Sequence, residues 1–394
     1  MDYQKFLAKR TVNIKASVIR EILKIISKPG MISLAGGLPS PDSFPLETIA
    51  ELATLVIKKY GSKAFQYSDT EGFAPLRAAL ADYLRKKEIS ATTDDVCITS
   101  GSQGLLDGIG KVFISEGDKI AVEAPTYIGA LQAFNSYGPE YVCIKTDENG
   151  IIPEHLEEIL KNQPVKLVYL VPTFQNPTGR TLPLDRRQQI AEILQKYETL
   201  LVEDDPYSDL RYRGEPVTPL KALAPQNVIY TSTVSKILAP GFRTGFYVAP
   251  PELKTWLIRA KQGVDLHTGT YAQAIAAEYL SGDYLEKQIK KIIALYRPKQ
   301  EAILEALAEY LPASFKWSKP DGGMFIWVAG PPGFDAEACY YKAVEQNVAY
   351  VPGRYFFTCP EEGLETMRLN FSMCDADTIR KGIKILGDVV KAFV

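Results

Sequence analysis

The stretch NVIYTSTVSKILAPGFRTGFYVAP, residues 227–250, decides how the rest of the chain is read. Two short apolar, β-branched runs, NVIYTST (227–233) and TGFYVAP (244–250), bracket a connection that carries Lys236 and Arg243. Working outward, runs of the same kind stand at DVCITS (95–100), KIAVEAP (119–125), VKLVYLVP (165–172) and TLLVEDDP (199–206). Such runs read as buried strands. Amphipathic stretches with apolar residues at helical spacing, such as LDRRQQIAEILQKYE (184–198), separate most of them. Strand and helix in alternation imply an α/β fold, a parallel sheet covered by helices. In such a sheet, ligands collect where loops and helix N-termini converge at the carboxyl ends of the strands.

The texture changes after about residue 285, where the charged helical stretch YLEKQIKKIIALYRPKQEAILEALAEYL precedes FKWSKPDGGMFIWVAG, a strand, turn and strand. We expect three parts: an N-terminal helical segment over residues 1–30, a large domain over 31–285 and a small α+β domain over 286–394. The first part contains ASVIREILKIISKPG, a helix candidate closed by a Pro-Gly stop.

Composition narrows the function classes. The 394 residues are 46% apolar and 23% charged, with 45 basic and 47 acidic residues for a formal charge of −2. No basic run supports binding to a nucleic-acid backbone. Five scattered cysteines (Cys97, Cys143, Cys339, Cys359 and Cys374) and two histidines (His155 and His267) do not make a metal-ligand pattern. Sparse cysteines and an N-terminus unlike a signal peptide lead us to expect a cytoplasmic protein. No apolar run approaches the roughly 18 residues of a membrane span.

Chemistry-bearing residues recur at the predicted strand ends. After DVCITS comes GSQGLLDGIGKVF, where the N–H groups of Gly101, Ser102 and Gln103 either cap an ordinary helix or hold a phosphate. The dinucleotide and P-loop glycine patterns are not matched. TFQNPTG places Asn176 in a turn, either as a cap or facing a ligand. TLLVEDDPYSDL sets Glu203, Asp204 and Asp205 together, carboxylates that repel unless a cation or water intervenes. Tyr207 follows closely. Lys236 completes a set that suits one kind of ligand: a phosphate, an aromatic nitrogen wanting a carboxylate, a phenolic oxygen wanting Asn and Tyr, and an aldehyde wanting an amine. Pyridoxal 5′-phosphate (PLP) carries all four.

With GSQ, NPTG, DDPY, SK followed by an arginine, and MRLNFS in this order, the chain resembles the fold-type I, class I PLP-dependent aminotransferases over essentially its whole length. The resemblance implies a mostly parallel seven-stranded sheet with a smaller α+β domain, and a ping-pong transamination. It implies that Lys236 bonds to the cofactor aldehyde and shuttles the proton, and that Asp204 pairs with the ring nitrogen. Asn176 and Tyr207 would bond the phenolic oxygen. Gly101, Ser102, Gln103, Thr233, Ser235 and Arg243 would surround the phosphate, and Tyr127 would stack on the ring. Tyr67 would reach the phosphate of a neighbouring subunit, which implies a homodimer. Arg368 would clamp the substrate α-carboxylate, beside Asn176 and Gly37. The stretches SLAGGLP, QYSDTEGFAPLR and KQGVDLHT are similar to the 2-aminoadipate and kynurenine aminotransferase II branch. That likeness implies that Arg20 meets a distal carboxylate and that glutamate and 2-oxoglutarate form one substrate pair. A PLP-dependent lyase or decarboxylase, or the effector domain of a PLP-binding transcription regulator, are the competing readings.

Overall fold

The computed structural model describes residues 1–14, 29–359 and 361–393. The helix candidate at 16–30 and Arg20 therefore fall almost entirely outside the described residues.

A seven-stranded sheet organises the chain. Across it run Val96–Ser100, Thr244–Val248, Val228–Thr233, Leu201–Asp204, Leu167–Leu170, Lys119–Glu123 and Glu140–Ile144. The six apolar runs read from the sequence all become strands of this sheet. Leu167–Leu170, Leu201–Asp204 and Val228–Thr233 are buried along their whole lengths, as strands covered on both faces must be. The seventh strand, Glu140–Ile144, lies at an edge and buries only Ile144, so it carried no continuous apolar signal.

One strand departs from the parallel expectation. Thr244–Val248 runs antiparallel to both neighbours. The physical reason lies in the connection that precedes it: residues 234–243 hold only the short turns Val234–Lys236 and Pro240–Phe242, whereas a parallel return needs roughly a dozen residues or more.

Helices cover this sheet, and their buried faces follow the 3.6-residue period. Leu184–Lys196 turns Ile190, Ala191, Ile193 and Leu194 inward. Two glycines are required where chain segments meet. Gly101 has φ +74°, and a Cβ there would stand 2.5 Å from Arg243 Nη2. A Cβ on Gly245 would stand 2.5 Å from the Gly101 carbonyl carbon and 2.6 Å from the Ser102 nitrogen.

The C-terminal part builds a four-stranded sheet in the order Lys316–Trp317, Phe325–Ala329, Thr366–Asn370, Val351–Pro352. The first two strands are the strand, turn and strand expected there. Helices Tyr284–Tyr310 and Ala376–Val390 pack together beside it, and Asp375 caps the second by accepting from Thr378 N at 2.8 Å. The segment after residue 31 is bonded to this part: Ile32–Ser33 pairs with Val348–Ala349, and Asn370 N donates to Leu34 O at 2.7 Å. That pairing brings Ala35 and Gly37 over the carboxyl ends of the large sheet. Among the described residues no helix is long and apolar enough to cross a membrane.

Candidate active site

A cavity of about 400 Å³ opens at the carboxyl ends of the central strands, between the large sheet and the C-terminal strands. Its lining includes Lys236, Asp204, Asn176, Tyr207, Arg243 and Arg368, residues that lie up to 192 positions apart in sequence. Gly37, Gly101, Ser102, Gln103, Tyr127, Thr233 and Ser235 line it too.

Lys236 ends the turn that follows Val228–Thr233, a turn fixed by the Thr233 hydroxyl accepting from Ser235 N at 3.2 Å. Its Nζ donates to Gly37 O at 3.0 Å and lies 5.9 Å from the centre of the Tyr207 ring. Burial, reinforced by the positive charges of Arg368 and Arg243, lowers its pKa to about 8. An amine in that range is a usable nucleophile and base near neutral pH.

Asp204 ends its own strand and is only 2% exposed. Its Oδ2 accepts from Tyr169 OH at 2.8 Å, while Oδ1 is buried with no partner among the described residues. Burial, with help from neighbouring Asp205, raises this carboxyl to about 7 against the opposing Tyr169 bond. A cationic ring nitrogen at Oδ1 would offset that cost.

Asn176 and Arg368 form one unit. Arg368 Nη1 donates to Asn176 Oδ1 at 2.8 Å, Arg368 Nη2 donates to Ala35 O at 2.6 Å, and Asn176 Nδ2 approaches Tyr207 OH at 3.5 Å. The loop carrying Asn176 is held by Gln175, whose Nε2 donates to Pro125 O at 2.8 Å and whose Oε1 accepts from Thr178 N and Oγ1. Gln175 thereby ties the Asn176 loop to the segment leading into Tyr127. The Arg368 guanidinium lies between the rings of Phe325 and Phe356, at 4.5 and 4.9 Å. It has no acidic partner among the described residues, its Nε is unsatisfied, and burial lowers its pKa to about 10.

At the opposite end of the cavity the N-terminus of helix Ser102–Phe113 meets the hydroxyl pair of Thr233 and Ser235, whose oxygens are 2.8 Å apart. Arg243 stands beside them in a left-handed backbone conformation, φ +47°. Free N–H groups, hydroxyls and a guanidinium make an anion cradle. Gln103 turns its amide to Gly129 O at 2.8 Å. Among the described residues of the lining, Asp204 is the one acidic residue, against the cationic Lys236, Arg243 and Arg368.

Residues 30–386 match the family of class I and II aminotransferases. The chain belongs to that family. Its relatives include an aromatic-amino-acid aminotransferase of Thermococcus litoralis, 48% identical over 99% of this chain and 95% of its own. A 2-aminoadipate transaminase of Thermus thermophilus is 40% identical over 100% and 98%. A kynurenine aminotransferase of Pyrococcus horikoshii, solved in complex with PMP, superposes with a TM-score of 0.95 at 47% identity, covering 99% of this chain and 98% of that one. This member of the family is accordingly a PLP-dependent aminotransferase, and the fold is that of the fold-type I enzymes. The residues present fit the cofactor: a depressed lysine amine, an orphaned carboxylate oxygen and an anion cradle share one cavity.

One sequence-read residue stands apart from the cavity. Tyr67 is 79% exposed, in edge contact with His267 at 5.7 Å, and is not part of the lining. Arg20 falls outside the described residues. Other features of the site were missed from sequence: the Phe325–Phe356 sandwich, the Tyr169 bond, Gly245, and Ile128 with Gln132 on one face of helix Ile128–Asn135. The i, i+4 spacing of the last two was a signal that could have found them.

Proposed function

We propose that this enzyme exchanges the amino group of an aromatic amino acid or 2-aminoadipate with 2-oxoglutarate, with broad specificity and by a ping-pong course. Arg368 carries the reading. A 3% exposed guanidinium without an acidic partner among the described residues, beside a depressed lysine, suits the α-carboxylate common to all amino and 2-oxo acids. Breadth follows, because that anchor ignores the side chain. Leu38, Pro39 and Ile128 give the lining an apolar part suited to an aromatic or long side chain, in keeping with the substrates named for the relatives. Arg20 is our candidate for a distal carboxylate.

When bound, PLP supplies an aldehyde that bonds to amines and a protonated ring that withdraws electrons from the substrate Cα. Lys236 would hold that aldehyde through its amine, and the same buried amine, free as a base, would take the proton from the substrate Cα and return it. Asp204 would hold the ring nitrogen through Oδ1 and favour its protonated form. Asn176 and Tyr207 serve the phenolic oxygen, and Tyr127 the ring face. Gly101, Ser102, Gln103, Thr233, Ser235 and Arg243 serve the phosphate. Gly37 orients Lys236 through its carbonyl. We assign Tyr67 to the phosphate site of a second copy, so that the working unit is a homodimer. We keep the division at residues 1–30, 31–285 and 286–394, and a cytoplasmic location, as part of this reading.

The test supplies PLP-loaded enzyme with L-phenylalanine, L-tyrosine, L-2-aminoadipate or L-kynurenine plus 2-oxoglutarate, and measures glutamate. Parallel double-reciprocal plots for at least one donor are expected. Ammonia or carbon dioxide in place of glutamate from every donor would overturn the proposal.

A further inference from the structure

The Asp204 carboxylate is divided between two environments. Oδ2 is bonded by Tyr169 OH at 2.8 Å, while Oδ1 is buried, unpaired among the described residues and on a residue lining the cavity. Among the described residues no other side chain donates to it. Tyr127 and Tyr207 are titratable neighbours within electrostatic reach, but neither is bonded to it. Asp205 is occupied elsewhere: its Oδ2 accepts from Ser208 Oγ at 2.6 Å and Tyr230 OH at 2.8 Å, and its Oδ1 from Ser208 N at 3.2 Å. Glu123, which also faces Tyr169, accepts from Val171 N at 2.9 Å.

Tyr169 itself has no freedom to swing. It is fully buried on the strand neighbouring that of Asp204, in register with Val202, and its ring meets Phe134 edge-on at 5.8 Å. The phenol therefore approaches Asp204 from beneath the cavity along a fixed line.

We infer that Tyr169 is a positioning residue for this reaction: its hydroxyl clamps one oxygen of Asp204 so that the other is aimed, as an ionised acceptor, at the ring nitrogen of PLP. The inference rests on the assignment of Asp204 to that nitrogen. A buried carboxylate with both oxygens unsatisfied is driven toward its neutral form. The Tyr169 bond opposes that drift without taking the oxygen the cofactor needs. A cation on the ring nitrogen in turn makes the covalently held nitrogen at the other end of the conjugated system less basic. The clamp is thus readable at a distance, in the pH midpoint of the bound cofactor's visible absorption.

The experiment titrates that absorption in PLP-loaded wild type, Tyr169→Phe and Asp204→Asn, and measures PLP affinity of each apoprotein. For Tyr169→Phe the midpoint is expected to rise by roughly one pH unit, with PLP affinity reduced on the order of tenfold, as for loss of one hydrogen bond to a charged group. Asp204→Asn should move both further in the same direction. An unmoved midpoint in Tyr169→Phe beside a shifted Asp204→Asn overturns the clamp while leaving Asp204 on the ring nitrogen. An unmoved midpoint in Asp204→Asn overturns both. Should the phenylalanine variant fail to fold, 3-fluorotyrosine at position 169 keeps the shape and makes the donor more acidic. The midpoint should then fall, and a midpoint equal to wild type overturns the inference.

Discussion

Replacing Arg368 by lysine keeps the positive charge and removes the planar fork, which isolates what the fork contributes. In the structure the guanidinium spends Nη1 on Asn176 Oδ1 at 2.8 Å and Nη2 on Ala35 O at 2.6 Å, while its central carbon lies 4.5 and 4.9 Å from the Phe325 and Phe356 rings. A lysine ammonium has no plane to fit between two rings and cannot present two parallel N–H groups to a carboxylate. One lost charge-assisted hydrogen bond costs about 1.5–3 kcal/mol. The weaker aromatic contact adds about 0.5–1 kcal/mol. Together these give a fall in kcat/KM on the order of 10²-fold, since each 1.36 kcal/mol is a factor of ten. Steady-state kinetics with an aromatic donor and 2-oxoglutarate measure it, and PLP affinity should stay within about threefold of wild type. A kcat/KM within twofold of wild type, with donor and acceptor alike, would show that Arg368 does not hold the α-carboxylate.

Other expectations follow from the same cavity. Lys236→Ala should abolish multiple turnover while leaving PLP bound through the phosphate cradle; near-normal transamination by that variant refutes the role of the lysine. Because burial lowers Lys236 to about 8, its neutral, reactive form is populated above that pH. The rate of PLP attachment to apoprotein should therefore rise with pH and level off just above 8, and a rise continuing past 10 contradicts the depressed amine. Gly245→Ala places a methyl 2.5 Å from the Gly101 carbonyl carbon. It should destabilise by about 1–3 kcal/mol and weaken PLP binding, and unchanged thermal unfolding and PLP titration would rule out the close approach. Sedimentation should show a dimer whose PLP affinity drops on Tyr67→Ala; an unaltered affinity would remove Tyr67 from the phosphate site.

Legibility followed continuity of burial. The strands Leu167–Leu170, Leu201–Asp204 and Val228–Thr233 are buried along their whole lengths, so the apolar residues that open each of them stand next to one another and show in one dimension. Glu140–Ile144 is solvated along one edge and was silent. The direction of Thr244–Val248 lay in the length of the turn before it, a feature that a count of strand runs does not weigh. Residues of the cavity lining were legible where short motifs hold several chemical groups at once, as NPTG, DDPY and SK do. The partners of those residues were not. Tyr169 looks like any core tyrosine of a buried strand, and Phe325 and Phe356 lie on separate segments with nothing local to join them to Arg368.

By itself the sequence determined the α/β alternation, the family, the cofactor and the chemical type at each strand end, because these depend on side-chain identity and short spacing. Only the tertiary structure decided which charges are buried together and how far they are perturbed. The depressed amine of Lys236, the raised carboxyl of Asp204 and the lowered guanidinium of Arg368 arise chiefly from desolvation in one cavity. That burial is created by segments as distant as Gly37 and Lys236 or Asn176 and Arg368 closing over the same space.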